Sequence, residues 1–157
     1  NYESLQQITH NKEQLDRILL LDYVICNEDR HNKNIAFINV DNKVLLLPAF
    51  DNGYSLLYSD TEGMLRDYKK AVRYCNCNAF YNNFDAALQY VVRSHRGLNI
   101  NLDYEPIELT ARLMRIHDSS MELKRAYPDI TVPVAEWYTA IADFIQWRME
   151  AVREAMR

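Results

Sequence analysis

Asn27-Glu28-Asp29-Arg30-His31-Asn32-Lys33-Asn34 is an unbroken run of polar and charged side chains, and the stretches on either side of it decide how the chain is organised. Upstream, residues 12–26 read as a helix. Leu15, Ile18, Leu19, Leu20, Leu21, Val24 and Ile25 cover most of its circumference, and a helix apolar nearly all round belongs inside a core. Asn11 is placed to cap it, with Gln14 reaching back as in a capping box. Downstream, 35–40 and 44–47 are β-rich runs separated by Asp41 and Asn42, a signal for a tight hairpin. Pro48 ends the second run, and Asp51-Asn52-Gly53 is a further turn. The polar run is a loop by composition, held between a buried helix and a hairpin.

Beyond the hairpin the pattern is helical, with helices expected over 62–74, 84–95, 106–125 and 134–156. Pro106 suits a first helical turn and Gly97 a helix end. In the last helix Trp137, Ile141, Phe144, Ile145, Val152 and Met156 fall near one stripe, which reads as core packing. The expected fold class is mainly α, with one small β-hairpin that carries the loop.

Composition excludes several alternatives. At 157 residues the chain fits one domain with a core of its own. Its 48% hydrophobic and 25% charged residues match an ordinary soluble protein. With 3 Gly and 4 Pro, neither a disordered chain nor a turn-rich all-β fold is expected. The 11 Tyr follow no repeat. A net charge of −4 argues against general nucleic-acid binding, which needs dense Lys and Arg. The local clusters Lys69-Lys70 with Arg73, and Arg93 with Arg96, read as solvated helix faces. The longest apolar run, 18–21, is far too short to span a membrane, and no secretory signal is present. Cys26, Cys75 and Cys77 are an odd set, which suits reduced thiols and a cytoplasmic location better than a disulfide framework. Cys75-Asn76-Cys77 has no second pair to complete a zinc site, and its nearest His is His95.

The hairpin turn sets the chemistry expected of the loop. With Asp41-Asn42 as the turn, Val40 faces Lys43, Asn34 lies opposite the neighbourhood of Ala49, and Asp51 lies opposite Asn32. Neighbouring strands are about 4.8 Å apart, so Asn34 and Asp51 should converge at the open end of the hairpin, with Asp29 close by. An Asn carbonyl and an Asp carboxylate are hard oxygen ligands of the kind Mg²⁺ uses beside water and phosphate. A second Asp that orients a hydroxyl and accepts its proton completes what phosphoryl transfer asks of one lobe of a kinase. Asp29 precedes Asn34 by five residues, the interval in the kinase pattern H-R-D-x-x-x-x-N, and Asp51-Asn52-Gly53 stands in the place of D-F-G. Singly, each of these residues has a plain structural reading, as a salt bridge, a strand start or a turn. Their joint order and spacing favour the site.

The segment 27–34 resembles the N-x-D-R-H-x-x-N loop of HipA-like Ser/Thr kinases, and its D-R-H-x-x-N core is similar to that of phosphatidylinositol 3-/4-kinases. Leu46-Leu47-Pro48-Ala49-Phe50-Asp51 resembles the L-A-P-x-x-D segment of HipA-like proteins. The match covers roughly 15–57, and the later helices agree in type. The resemblance implies a protein-kinase-like C-terminal lobe that uses ATP and Mg²⁺ to phosphorylate a protein Ser or Thr. Asp29 would be the catalytic base, and Asn34 and Asp51 would hold Mg²⁺. Arg30 and His31 would brace the loop, with His31 near the transferring phosphate, and Asn27 would hold the loop by hydrogen bonds. The family commonly sits in toxin–antitoxin modules beside a DNA-binding antitoxin.

Two features depart from the pattern. No Gly precedes Asp29, so the glycine-rich phosphate loop and strand lysine of a kinase N-lobe are not expected within this chain. They would come from a longer protein, of which a start at Asn1 rather than Met is a further sign, or from another chain. Asp51-Asn52-Gly53-Tyr54 also resembles the I-D-N-G segment of type II phosphatidylinositol 4-kinases. An inositol-lipid acceptor and a non-catalytic, kinase-derived binding module therefore stand as alternatives.

Overall fold

The helix that precedes the polar loop carries apolar side chains on every face, and the rest of the fold is built round it. The computed structural model describes residues 2–58, 60–75, 83–94, 100, 105–119 and 134–157. A short helix α1 (Tyr2–Ile8) leads into α2 (Lys12–Ile25), which buries Leu15, Asp16, Ile18, Leu19, Leu20, Asp22 and Tyr23. A single-turn 3₁₀ segment (Asn32–Asn34) follows, then β1 (Phe37–Val40) and β2 (Lys43–Leu46). The chain continues through α3 (Thr61–Ala71), a second 3₁₀ turn (Val72–Tyr74), α4 (Phe84–Ser94), α5 (Pro106–Ser119) and α6 (Val134–Ala155). The described residues are thus mainly helical, with one two-stranded antiparallel sheet. Among them, no helix is long and apolar enough to cross a membrane.

Helix α2 packs against α4 and α6, α3 packs on α6, and α5 lies along α6. Leu15, Phe144 and Val152 are at most 1% exposed and mark the centre of the core. The stripe expected on the last helix packs there, with Ile141, Phe144 and Val152 buried and Trp137, Ile145 and Met156 partly buried.

The hairpin has the expected register, Val40 opposite Lys43 and Phe37 opposite Leu46. Both turn residues have positive φ, 50° at Asp41 and 61° at Asn42, as in a type I′ turn whose twist matches the strands it joins. The regular strands are shorter than 35–40 and 44–47, although the Leu47 N–H still donates to the Ala36 carbonyl at 2.9 Å.

Two local expectations are corrected and one helix is added. Asn11 precedes α2, but its side chain does not cap the helix. Its Oδ1 accepts instead from the Leu46 N–H at 2.8 Å and the Thr9 hydroxyl at 2.6 Å, because the outer edge of β2 has its own unpaired donors to satisfy. Helix α1, absent from the sequence reading, is held by tertiary contacts. The Tyr2 hydroxyl donates to the Asp16 carboxylate, and the Tyr90 hydroxyl donates to Gln6 at 2.9 Å. The helix expected over 62–74 is broken at Asp67 (φ −164°, ψ 81°) and ends in a 3₁₀ turn. The Asp67 carboxylate accepts the Lys70 N–H at 3.1 Å and so caps the turn that follows, a local bond that competes with continuous helix. Residues 95, 97 and 120–125, on which other helix-end expectations fell, lie outside the described residues.

Candidate functional site

Cys26 ends α2 in the left-handed conformation (φ 53°, ψ 54°), and the Asn27 N–H turns back to the Asp22 carbonyl at 2.9 Å. This six-to-one bond closes the helix and starts the polar loop in a set direction. The start of the loop is held by the chain beyond the hairpin. The Glu28 N–H donates to the Tyr54 carbonyl at 2.9 Å, and the Leu56 N–H donates to the Ile25 carbonyl at 2.7 Å, so the segment after the hairpin runs beside the start of the loop.

Arg30 is the centre of the arrangement. It is 1% exposed, and its guanidinium grips the Asp22 carboxylate with two bonds, Nε to Oδ2 at 3.0 Å and Nη2 to Oδ1 at 2.9 Å. Nη1 donates to the Asn34 carbonyl at 3.1 Å and to the Phe50 carbonyl at 2.6 Å, and Nη2 also donates to the Asn52 side chain. One rigid fork thus ties the buried helix, the end of the loop and the segment beyond β2. Only a planar guanidinium has donors in enough directions to do this. Burial pushes the Asp22 carboxyl above its ordinary value, and the hydrogen bonds and charge of Arg30, with a hydrogen bond from Asn27, pull it part of the way back.

The other expected residues gather round this fork. Asn27 is 1% exposed. Its amide donates to Asp22 at 3.0 Å, and its Oδ1 accepts the Asp29 N–H at 3.2 Å. The Asn34 amide donates to the Asp29 carbonyl at 3.0 Å. That bond leaves Asn34 Oδ1 as the acceptor without a partner among the described residues. Asn34 belongs to the 3₁₀ turn rather than to the strand ladder, so the expected pairing with the region of Ala49 is replaced by the shared contact with Arg30. His31 caps that turn by accepting the Lys33 N–H on Nδ1 at 3.2 Å. Its proton is then on Nε2, which stands 3.8 Å from the Asp29 carboxylate. The Asp29 and His31 side chains are 40% and 41% exposed, open to solvent, whereas Asn27, Arg30 and Asn34 are buried. Asp51 is exposed at a positive φ of 56°, between Phe50 and Asn52, both of which Arg30 holds.

The sequence reading did not single out Asp22 or Asn52. A signal for Asp22 was present: an acid inside an apolar helix that can only be buried needs a buried partner. Asn52 carried no such signal, since its neighbours make an ordinary turn.

Among the described residues no group of three or more His, Cys, Asp and Glu converges to hold a metal. The Asp51 carboxylate is exposed and Asn34 is buried, and no contact joins these two hard-oxygen groups among the described residues. Cys26 and Cys75 are free thiols, and the neighbouring Cys75 together with burial pushes the Cys26 thiol above its usual range. Cys77 and His95 lie outside the described residues.

The class that fold and loop define is a mainly helical domain with one hairpin and a buried-arginine loop at its open end. No family model, curated protein or solved structure matches the chain.

Proposed function

We propose that this domain is the catalytic lobe of a HipA-like kinase, with a protein-kinase-like C-lobe fold, transferring phosphate from ATP to a Ser or Thr hydroxyl of a protein. The observation that carries the reading is the Arg30 fork. It explains why a loop with the D-R-H-x-x-N pattern should meet an Asp-Asn-Gly turn that begins 22 residues after Asp29, because Arg30 bonds both the Asn34 carbonyl and the segment 50–52.

The chain's own groups then have distinct tasks. Asp29, partly exposed and held through its N–H by Asn27 and through its carbonyl by Asn34, would orient the acceptor hydroxyl and take up its proton. His31 Nε2 faces that carboxylate and would steady its charge. Asn34 Oδ1 and the Asp51 carboxylate would hold Mg²⁺, which when bound offsets the charge of the nucleotide phosphates. Buried Asp22, Asn27 and Arg30 keep these groups in place before substrate arrives, so little reorganisation is left for the reaction itself. A glycine-rich loop and lysine strand would come from an N-terminal lobe, in the same protein or another chain.

Calorimetric titration of ATP into the full-length protein tests the proposal. Binding should require Mg²⁺ and weaken at least about tenfold in Asp51→Ala, since a charged ligand group contributes on the order of 1.5–3 kcal/mol. Binding that is absent, or indifferent to both Mg²⁺ and Asp51→Ala, would sink the enzyme reading and leave a non-catalytic binding module.

A further inference from the structure

A second buried arginine is not part of the Asp29 loop and has a cavity beside it. Arg148 of α6 is 4% exposed. Its Nε donates to the Tyr23 carbonyl at 2.8 Å, and its guanidinium carbon lies 3.4 Å from the centroid of the Tyr23 ring. Its Nη2 is buried with no hydrogen-bond partner among the described residues, and none of the ion pairs among them includes it. Burial lowers its pKa, yet a guanidinium stays protonated in proteins. A buried cation without a contacting anion is costly unless something supplies one.

Arg148 borders a cavity of about 300 Å³ between α3, α4 and α6. Lys69 and Arg73, four residues apart and both exposed, stand at the same cavity. They belong to the basic cluster that reads from sequence alone as a solvated helix face. Across from them is the start of α4. Asn83 caps it by accepting the Ala86 N–H at 2.8 Å, which leaves the N–H groups of Phe84 and Asp85 without intrahelical partners. Asp85 opposes an anion there. Three cations against this one carboxylate still leave the lining with a net charge of +2.

We propose that this cavity binds the dianionic phosphate group of a phosphate monoester, with Arg148 as the buried anchor and Lys69 and Arg73 as rim cations. An arginine fork matches phosphate oxygens two at a time, and the N–H groups of a helix start favour the same charge. The cavity exceeds a phosphate group alone, and Trp147 and Phe84 in its wall offer apolar surface to the organic part. The site shares no residue with the Asp29 loop and stands independently of the kinase reading.

The test is calorimetric titration of the full-length protein, in buffer free of phosphate and Mg²⁺, with phenyl phosphate and separately with inorganic phosphate. Phenyl phosphate should saturate with a Kd below about 1 mM. The Lys69→Ala/Arg73→Ala double variant, altered only at exposed positions, should bind at least about tenfold more weakly. Tighter binding of phenyl phosphate than of inorganic phosphate supports the monoester. Equal binding of the two, or binding of inorganic phosphate alone, overturns the monoester in favour of the free ion. No saturation by either ligand up to about 10 mM, or unchanged affinity in the double variant, overturns the site itself.

Discussion

Arg30 has more hydrogen-bond partners than any other residue of the loop, and the free energy of the loop is concentrated there. It balances buried Asp22, and it donates to two backbone carbonyls, those of Asn34 and Phe50. Removing one partner of such a pair strands the other charge, at a cost of about 3–5 kcal/mol. Arg30→Ala should therefore lose stability of that order in urea unfolding at pH 7, and Arg30→Lys should recover only part of it, because an ammonium cannot reproduce the fork. The pH dependence has a definite sign. The folded pKa of Asp22 already stands above 3.8, so folding favours its protonated form, and the stability this contributes is lost as pH rises through the folded value. Removing Arg30 takes away the largest influence lowering that pKa and raises it further. The deficit of Arg30→Ala should accordingly shrink as pH falls toward the range where Asp22 protonates. A deficit that stays constant down to pH 4 would mean that the pairing contributes little.

At the scale of elements, α3 shows how a kink can depend on a glycine. The Asp60 carboxylate caps this helix by accepting the Gly63 N–H at 2.8 Å. A methyl group at Gly63 would run into that carboxylate and would stand 2.8 Å from the Cβ of Ala71, across the bend at Asp67. Alanine is the better helix former in general, so Gly63→Ala would stabilise an ordinary straight helix. Here it should destabilise by about 1–3 kcal/mol through overpacking and displacement of the cap. Thermal unfolding followed by circular dichroism distinguishes the two, since a raised Tm would rule out the close approach.

For the whole molecule, core and loop are mechanically one unit. Phe144 is fully buried and meets Tyr68 edge-on at 5.8 Å. Four residues on, Arg148 holds the Tyr23 carbonyl near the end of α2, and the loop begins at Asn27. Phe144→Ala should cost about 3–5 kcal/mol. Helicity and Mg²⁺-dependent ATP binding should then fail at the same urea concentration, a coincidence that two independently stable parts would not show.

Much of this organisation was legible along the chain because it rests on local periodicity. Apolar positions with no polar face indicated that α2 is central, Asp41-Asn42 set the hairpin register, and Pro106 began a helix. The candidate loop was legible for the same reason, as a polar break at fixed spacing from Asn34 and Asp51. Local pattern could not show which polar groups leave water, because desolvation depends on elements brought together from far along the chain. Tertiary structure alone decided that Asp22, Arg30 and Asn52 form one cluster, that the Asn11 side chain serves β2 instead of α2, and that α1 is held by Asp16 and Tyr90. It also decided that Arg148, an unremarkable cation on a helix by sequence, is a buried charge beside a cavity lined by Lys69 and Arg73.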